Sequence, residues 1–194
     1  MTDWIAFDYG RVLTHPQPAE DLAALADLAG LSGTEFVPSY WKERAGYDRG
    51  DLDAAAYWSG VLGQPVATEL REELDALDTR SHQHLNTDTF DLVERLSRDG
   101  ASLALLSNTP EPLAAGMESA AWAGLFARHF YSCRLRLVKP EPAIYRHVLA
   151  ELEAAPEELT FIDDRPENIE AARELGIRGL LFTDVETLTA ELGR

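Results

Sequence analysis

The sequence predicts an α/β fold, a doubly wound parallel sheet with a small all-helical unit inserted after its first strand. Three observations predict it. Residues 4–8, 102–107, 159–163 and 178–183 are short, nearly unbroken apolar runs, as expected of strands buried on both faces. Helical periodicity fills 87–99, 110–120, 142–153 and 166–175 between the later runs, so strand and helix alternate as right-handed βαβ crossovers require. The stretch from about 17 to 86 breaks that alternation, with helical periodicity and no convincing strand.

Taken in order, the first strand is Trp4 to Asp8, apolar until its last residue. The inserted stretch reads as helices in DLAALADLAGL, EFVPSYWKERAGY, LDAAAYWSGVLG and TELREELDAL, punctuated by Gly33, Gly50, Gly63 and Pro65. A helical block placed there should pack as a cap over the crevice at the strand's end. The expected division is a core of 1–16 and 87–194 and a cap of 17–86, with hinges at His15–Pro18 and about Thr79–Thr87. In the core, Gly100 and Gly176 stand where two helices need a residue tolerant of left-handed backbone.

Composition narrows the partners. A formal charge of −17 argues against nucleic acid, which needs clustered Lys and Arg. The charge is not segregated: residues 15–86 hold 13 acids against 5 Lys and Arg, a net of −8, leaving −9 elsewhere. An anionic substrate therefore needs local cations or a bound metal. The lone cysteine, Cys133, excludes a disulfide framework and a Cys-based zinc site. The amino terminus has neither a basic region nor a long apolar run, and no stretch of about 18 apolar residues exists to cross a bilayer. The expectation is a soluble, reduced, cytoplasmic protein with no membrane partner; the sequence carries no signal of oligomeric state.

Polar groups gather where the apolar runs end. In an open parallel sheet the carboxyl ends of the strands share one crevice, where ligands bind. Asp8 ends the first run, where a carboxylate can attack phosphorus and ligate a cation, or simply cap a turn. Ser107-Asn108 ends the second, and Thr109-Pro110 opens a helix; hydroxyl and amides there form an anion nest or an ordinary cap. Lys139 precedes Pro140-Glu141-Pro142 at another helix entrance, as a mobile positive charge or a solvated surface lysine. Asp163-Asp164 ends the 159–163 run. Two adjacent carboxylates at a buried strand end repel, so a positive group must compensate, and Mg²⁺ suits them better than helix capping does. Asn168 lies one helical turn beyond Asp164, placed to orient a ligand.

In order and spacing these four stretches resemble motifs I to IV of the haloacid dehalogenase-like (HAD) superfamily, across essentially the whole chain. Motif I falls on Asp8, II on Ser107-Asn108, III on Lys139-Pro140 and IV on Asp163-Asp164 with Asn168. The insert is similar to that family's C1-type cap, and the small phosphatases related to bacterial glucose-1-phosphate phosphatase and the epoxide hydrolase N-terminal domain look nearest. The resemblance implies a Rossmann-like core and Mg²⁺-dependent hydrolysis of a small phosphorylated metabolite. Asp8 would attack in line to form an aspartyl-phosphate that water hydrolyses. Mg²⁺ would sit on Asp8, the Gly10 carbonyl and Asp164, with Asp163 close by; Ser107, Asn108 and Lys139 would hold the phosphoryl oxygens.

One position departs from the resemblance. The family's phosphatases carry a second Asp two residues after the nucleophile as general acid, and here that residue is Gly10. Losing such a group costs about 10²–10⁴ in rate, so good leaving groups such as acyl or anomeric phosphates are expected. His15 or Asp48 are alternative proton donors, and phosphate binding without turnover is the remaining reading. Dehalogenation at carbon is a further alternative, against which the Asp163-Asp164 pair argues. Arg11 can reach substrate or solvent. Trp41, Arg44, Tyr47 and Asp48 are candidate substrate contacts from the cap, with Lys42, Tyr40, Tyr57 and Trp58 nearby. The competing expectation is that the cap buries its aromatics in a core of its own. His82 and His84 fall in the hinge, where solvated linker residues are the norm.

Overall fold

The computed structural model describes residues 3–193. Five strands form one all-parallel sheet: β1 (Trp4–Phe7), β2 (Ser102–Ser107), β3 (Arg128–Tyr131), β4 (Leu159–Asp163) and β5 (Arg178–Leu181), in the order β3-β2-β1-β4-β5. Side chains alternate between the faces, as period two demands. Ile5, Phe7, Leu103 and Leu105 pack with Leu92, Leu96, Leu113 and Met117 on one face. Ala6, Ala104, Leu106 and Phe161 pack with Ile144, Val148 and Ile169 on the other. The first layer comes from α6 (Thr87–Arg98), α7 (Glu111–Ser119) and α11 (Val185–Leu192), the second from α9 (Pro142–Glu151) and α10 (Pro166–Glu174).

Four strands lie where the apolar runs predict them. The fifth, β3, is absent from the sequence reading. It is four residues long at the sheet edge, and its Arg128 and His129 dilute the apolar signal. Helix α7 begins one residue later than expected: Pro110 is its N-cap and makes no side-chain cap bond, so Thr109 does not cap it.

The insert forms α1 (Ala19–Ala29), α2 (Gly33–Lys42), α3 (Arg44–Arg49), α4 (Ala54–Leu62) and α5 (Thr68–Ser81). These helices enclose a separate apolar cluster of Leu25, Phe36, Tyr40, Tyr47, Tyr57, Trp58 and Leu74. The two linkers run side by side: His15 donates its amide to the His84 carbonyl at 2.7 Å, and Asn86 donates to Leu13 at 2.9 Å. Pairing the linkers limits the routes by which the helical unit can move over the sheet.

Helix α3 meets α8 (Ser132–Leu135), the turn that follows β3. Gly50 makes this approach possible. Its φ is +80°, and a Cβ there would collide with the Cys133 carbonyl oxygen. Nearby, the Arg49 guanidinium forks onto the Glu141 carboxylate, and Arg136 donates to the Gly50 carbonyl at 2.9 Å. Gly50→Ala is expected to cost about 1–3 kcal/mol through left-handed strain and collision with fixed backbone. The midpoint of chemical denaturation measures it; an unchanged midpoint would mean that α3 and α8 are not held together in solution.

Candidate active site

The register builds the site. Phe7 pairs with Ile162 on one side and Leu105 on the other, so Asp8 emerges level with Asp163 and one step short of Ser107. The Asp8 amide is held by the Ile162 carbonyl at 2.8 Å, and its carboxylate accepts the Tyr9 amide at 2.7 Å.

Lys139 enters between the two acids and is almost fully buried. Its ammonium lies 2.7 Å from Asp8 Oδ1 and 2.7 Å from Asp163 Oδ2, and donates to the Leu106 carbonyl at 2.9 Å. All three of its protons therefore have partners. Burial would lower its pKa, but Asp8 and Asp163 outweigh that and raise it, so the amine stays charged. The Asp8 pKa is raised as well, which for an acid works against the charged form. Burial, reinforced by Asp163 and only partly offset by Lys139, lifts it to about 7. One ammonium does not neutralise this pocket of carboxylates.

Asp163 is fully engaged. Oδ1 accepts from the Arg165 amide and Asn168 Nδ2, each at 2.9 Å, while Oδ2 accepts from Lys139 and from Asn168 Nδ2 at 2.9 Å. Asp164 is half-buried, and among the described residues its ionic partner is Arg11, with Nη1 at 3.7 Å from Oδ2. Oxygens of Asp8, Asp163 and Asp164 lie within 4.8 Å of one another. This all-oxygen set suits a hard divalent cation. With Asp163 saturated by donors, the acids with free lone pairs are Asp8 and Asp164.

Ser107 is buried at the end of β2, and its hydroxyl makes no hydrogen bond among the described residues. The side chain of Asn108 faces the Lys139 backbone. Its amide pairs twice with the backbone of Lys139, donating to the carbonyl at 2.8 Å and accepting the amide N–H at 2.9 Å. That pairing fixes the residue carrying the ammonium. The Thr109 amide goes to the Ser132 hydroxyl at 2.8 Å, and the same hydroxyl bonds the Asp48 carbonyl, so this loop is tied to α3. Ser132 was not singled out from sequence because it follows the unrecognised strand β3.

The cap candidates divide. Arg44 and Tyr47 are buried, so neither presents a surface to substrate. Arg44 reaches Asp48 at 2.9 Å, the Tyr40 hydroxyl at 2.6 Å and Asp78 at 3.2 Å. Against burial, which would raise it, Arg44 and His82 hold Asp78 down to about 2. Burial raises Asp48 despite Arg44. Its carboxylate is thus part of the cap's ion network, while its carbonyl meets the core. Trp41 is half-exposed, with its ring edge-on to Tyr40. Arg11 and His15 line a cavity of about 420 Å³ with Thr14, Asn86, Asp164, Phe182 and Thr183.

A parallel sheet with an inserted helical unit and an Asp–Lys–Asp cluster at its strand ends defines a class of hydrolase. A family model for haloacid dehalogenase-like hydrolases matches residues 2–176, and the chain belongs to that family. The sesquiterpene phosphatase astK of Aspergillus oryzae is 26% identical over 194 residues, covering 96% of this chain and 92% of its own. Rat bifunctional epoxide hydrolase 2 is 41% identical over 61 residues, 31% of this chain but only 11% of that protein. A HAD family enzyme of Bacteroides thetaiotaomicron superposes with a TM-score of 0.80 at 23% identity, covering 100% of this chain and 98% of that one. The same enzyme in complex with magnesium and inorganic phosphate gives 0.76 at 22% identity, covering 94% and 95%. None of the described helices is long and apolar enough to cross a membrane.

Proposed function

We propose that this hydrolase is a Mg²⁺-dependent phosphatase of a small phosphorylated metabolite, with Asp8 as nucleophile and a bias toward good leaving groups. The observation that carries this reading is the Lys139 bridge between Asp8 and Asp163, 2.7 Å to each, beside the free acid Asp164. Curated phosphatase relatives such as astK support it.

Asp8 Oδ1 is held by Lys139 and the Tyr9 amide, which leaves Oδ2 to attack phosphorus. Asp8, the Gly10 carbonyl and Asp164 would hold the magnesium ion. When bound, it screens the nucleophile from the phosphoryl oxygens and offsets charge that develops on them. Ser107 offers an unused hydroxyl to a phosphoryl oxygen, and Lys139 stabilises the same charge from a fixed position. Asp163 serves the reaction through Lys139, whose ammonium it orients. Water then releases phosphate from Asp8. Gly10 supplies no proton to the leaving group, so a leaving group that departs as a stable anion is the better substrate.

Magnesium-dependent phosphate release tests this. p-Nitrophenyl and acetyl phosphate are expected to react at least 10²-fold faster than glycerol phosphate. Asp8→Asn is expected to abolish all three activities. Equal rates on the three would mean that another residue supplies the proton. No release from any, with magnesium still bound, would mean that the site binds phosphate without turning it over.

A further inference from the structure

We propose that Arg11 and His15 form a subsite for an oxyanion on the leaving group, so that the preferred substrate is a phosphate ester or anhydride whose departing part carries a carboxylate or second phosphate. This deepens the phosphatase reading and rests on it.

The two edges of the sheet are treated differently. Over the β3 edge, α3 is fastened to α8 through Gly50 and Cys133, and Arg49 to Glu141. Over the β5 edge, a cavity of about 420 Å³ remains between the hinge and the strand ends, reaching Asp164. A phosphoryl group on Asp8 would therefore direct its leaving group toward this second edge.

The cavity's charge departs from that of the chain. In a protein of net charge −17 with histidine counted neutral, its lining balances one arginine, Arg11, against one acid, Asp164, and adds the imidazole donor of His15. The Arg11 side chain is 65% exposed, and its contact to Asp164 is long, 3.7 Å. With Asp164 committed to a divalent ion, that guanidinium is released to a ligand. The backbone holds Arg11 in position: φ is +61°, and its amide donates to the Thr14 hydroxyl at 3.3 Å. A planar guanidinium suits the two oxygens of a carboxylate or phosphate. Phe182 supplies an apolar wall, and Thr14, Asn86 and Thr183 supply polar groups around it.

Phenyl phosphate and 4-carboxyphenyl phosphate form a matched pair for the test, with kcat/KM measured in saturating magnesium. The wild type is expected to favour the carboxylated ester by about tenfold, one well-made charge-assisted pair. Arg11→Gly, which also relieves the left-handed backbone, is expected to bring the ratio close to unity, and Arg11→Lys to retain part of it. Equal, Asp8-dependent hydrolysis of both esters by the wild type would overturn the subsite and leave the phosphatase reading standing. A preference that survives Arg11→Gly would overturn the role of Arg11. Release of phosphate from neither ester would overturn both readings.

Discussion

Gly10→Asp is expected to raise kcat/KM on glycerol phosphate by about 10²–10⁴ while changing p-nitrophenyl phosphate turnover far less. The backbone admits the change. A Cβ at residue 10 meets no heavy atom within 4 Å, and Gly10 is not among the glycines with positive φ. The substitution therefore needs no repacking, and its effect can be read as chemistry. An alkoxide leaves as a strong base and gains most from a proton delivered in the transition state; a nitrophenolate is already a stable anion. The ratio of the two efficiencies, wild type against variant, isolates proton donation from any general loss in binding. A ratio that does not move would place the donor elsewhere, and Asp48 would not be the first choice, because its carboxylate is held by Arg44 at 2.9 Å. His15, on the open cavity, would be.

What the sequence made legible follows from how buried each element is. Strands covered on both faces leave nearly continuous apolar runs, and β1, β2, β4 and β5 were read from those. Strand β3 lies at an edge with only Phe130 and Tyr131 well buried, too short a signal to separate from loop. The acids and the lysine were found because each sits at the end of an apolar run or a helix entrance. Asn168 was legible as well, one helical turn beyond Asp164, and it closes back on Asp163 at the start of α10. The grip of Asn108 on the Lys139 backbone was not: it spans 31 residues, and no local pattern encodes such a contact. In the cap, Arg44 and Tyr47 have the composition of a binding surface, yet they lie inside. Five helices this short must spend their aromatics on their own core, and Arg44 is affordable there because Asp48, Asp78 and Tyr40 occupy its donors.

Lys139→Met is expected to remove both catalysis and about 3–5 kcal/mol of stability, the scale for stripping one partner from a buried charge cluster. The methionine fills much the same volume, so the loss reports charge. Without the ammonium, Asp8 and Asp163 are left together at the strand ends, and the Leu106 carbonyl loses its donor. The pH dependence identifies the cause. In the wild type, burial and Asp163 already raise Asp8 from an ordinary 3.8 to about 7 despite the lowering by Lys139. An acid raised in the folded state binds its proton more tightly there than in the unfolded chain. It therefore favours folding below its unfolded pKa, and stability falls as pH climbs from about 4 toward the folded value. Removing Lys139 raises the folded value further and extends that fall. The deficit of Lys139→Met relative to wild type, measured by denaturant titration in chelator, should be small near pH 4 and grow through pH 8. A deficit independent of pH would mean that the lysine's hydrocarbon stem and its bond to Leu106, rather than its charge, hold the strand ends together. Magnesium then provides the complementary check. If Asp8 and Asp164 take the ion, its addition should recover part of the lost stability in the variant at neutral pH, because it restores positive charge where the ammonium was removed.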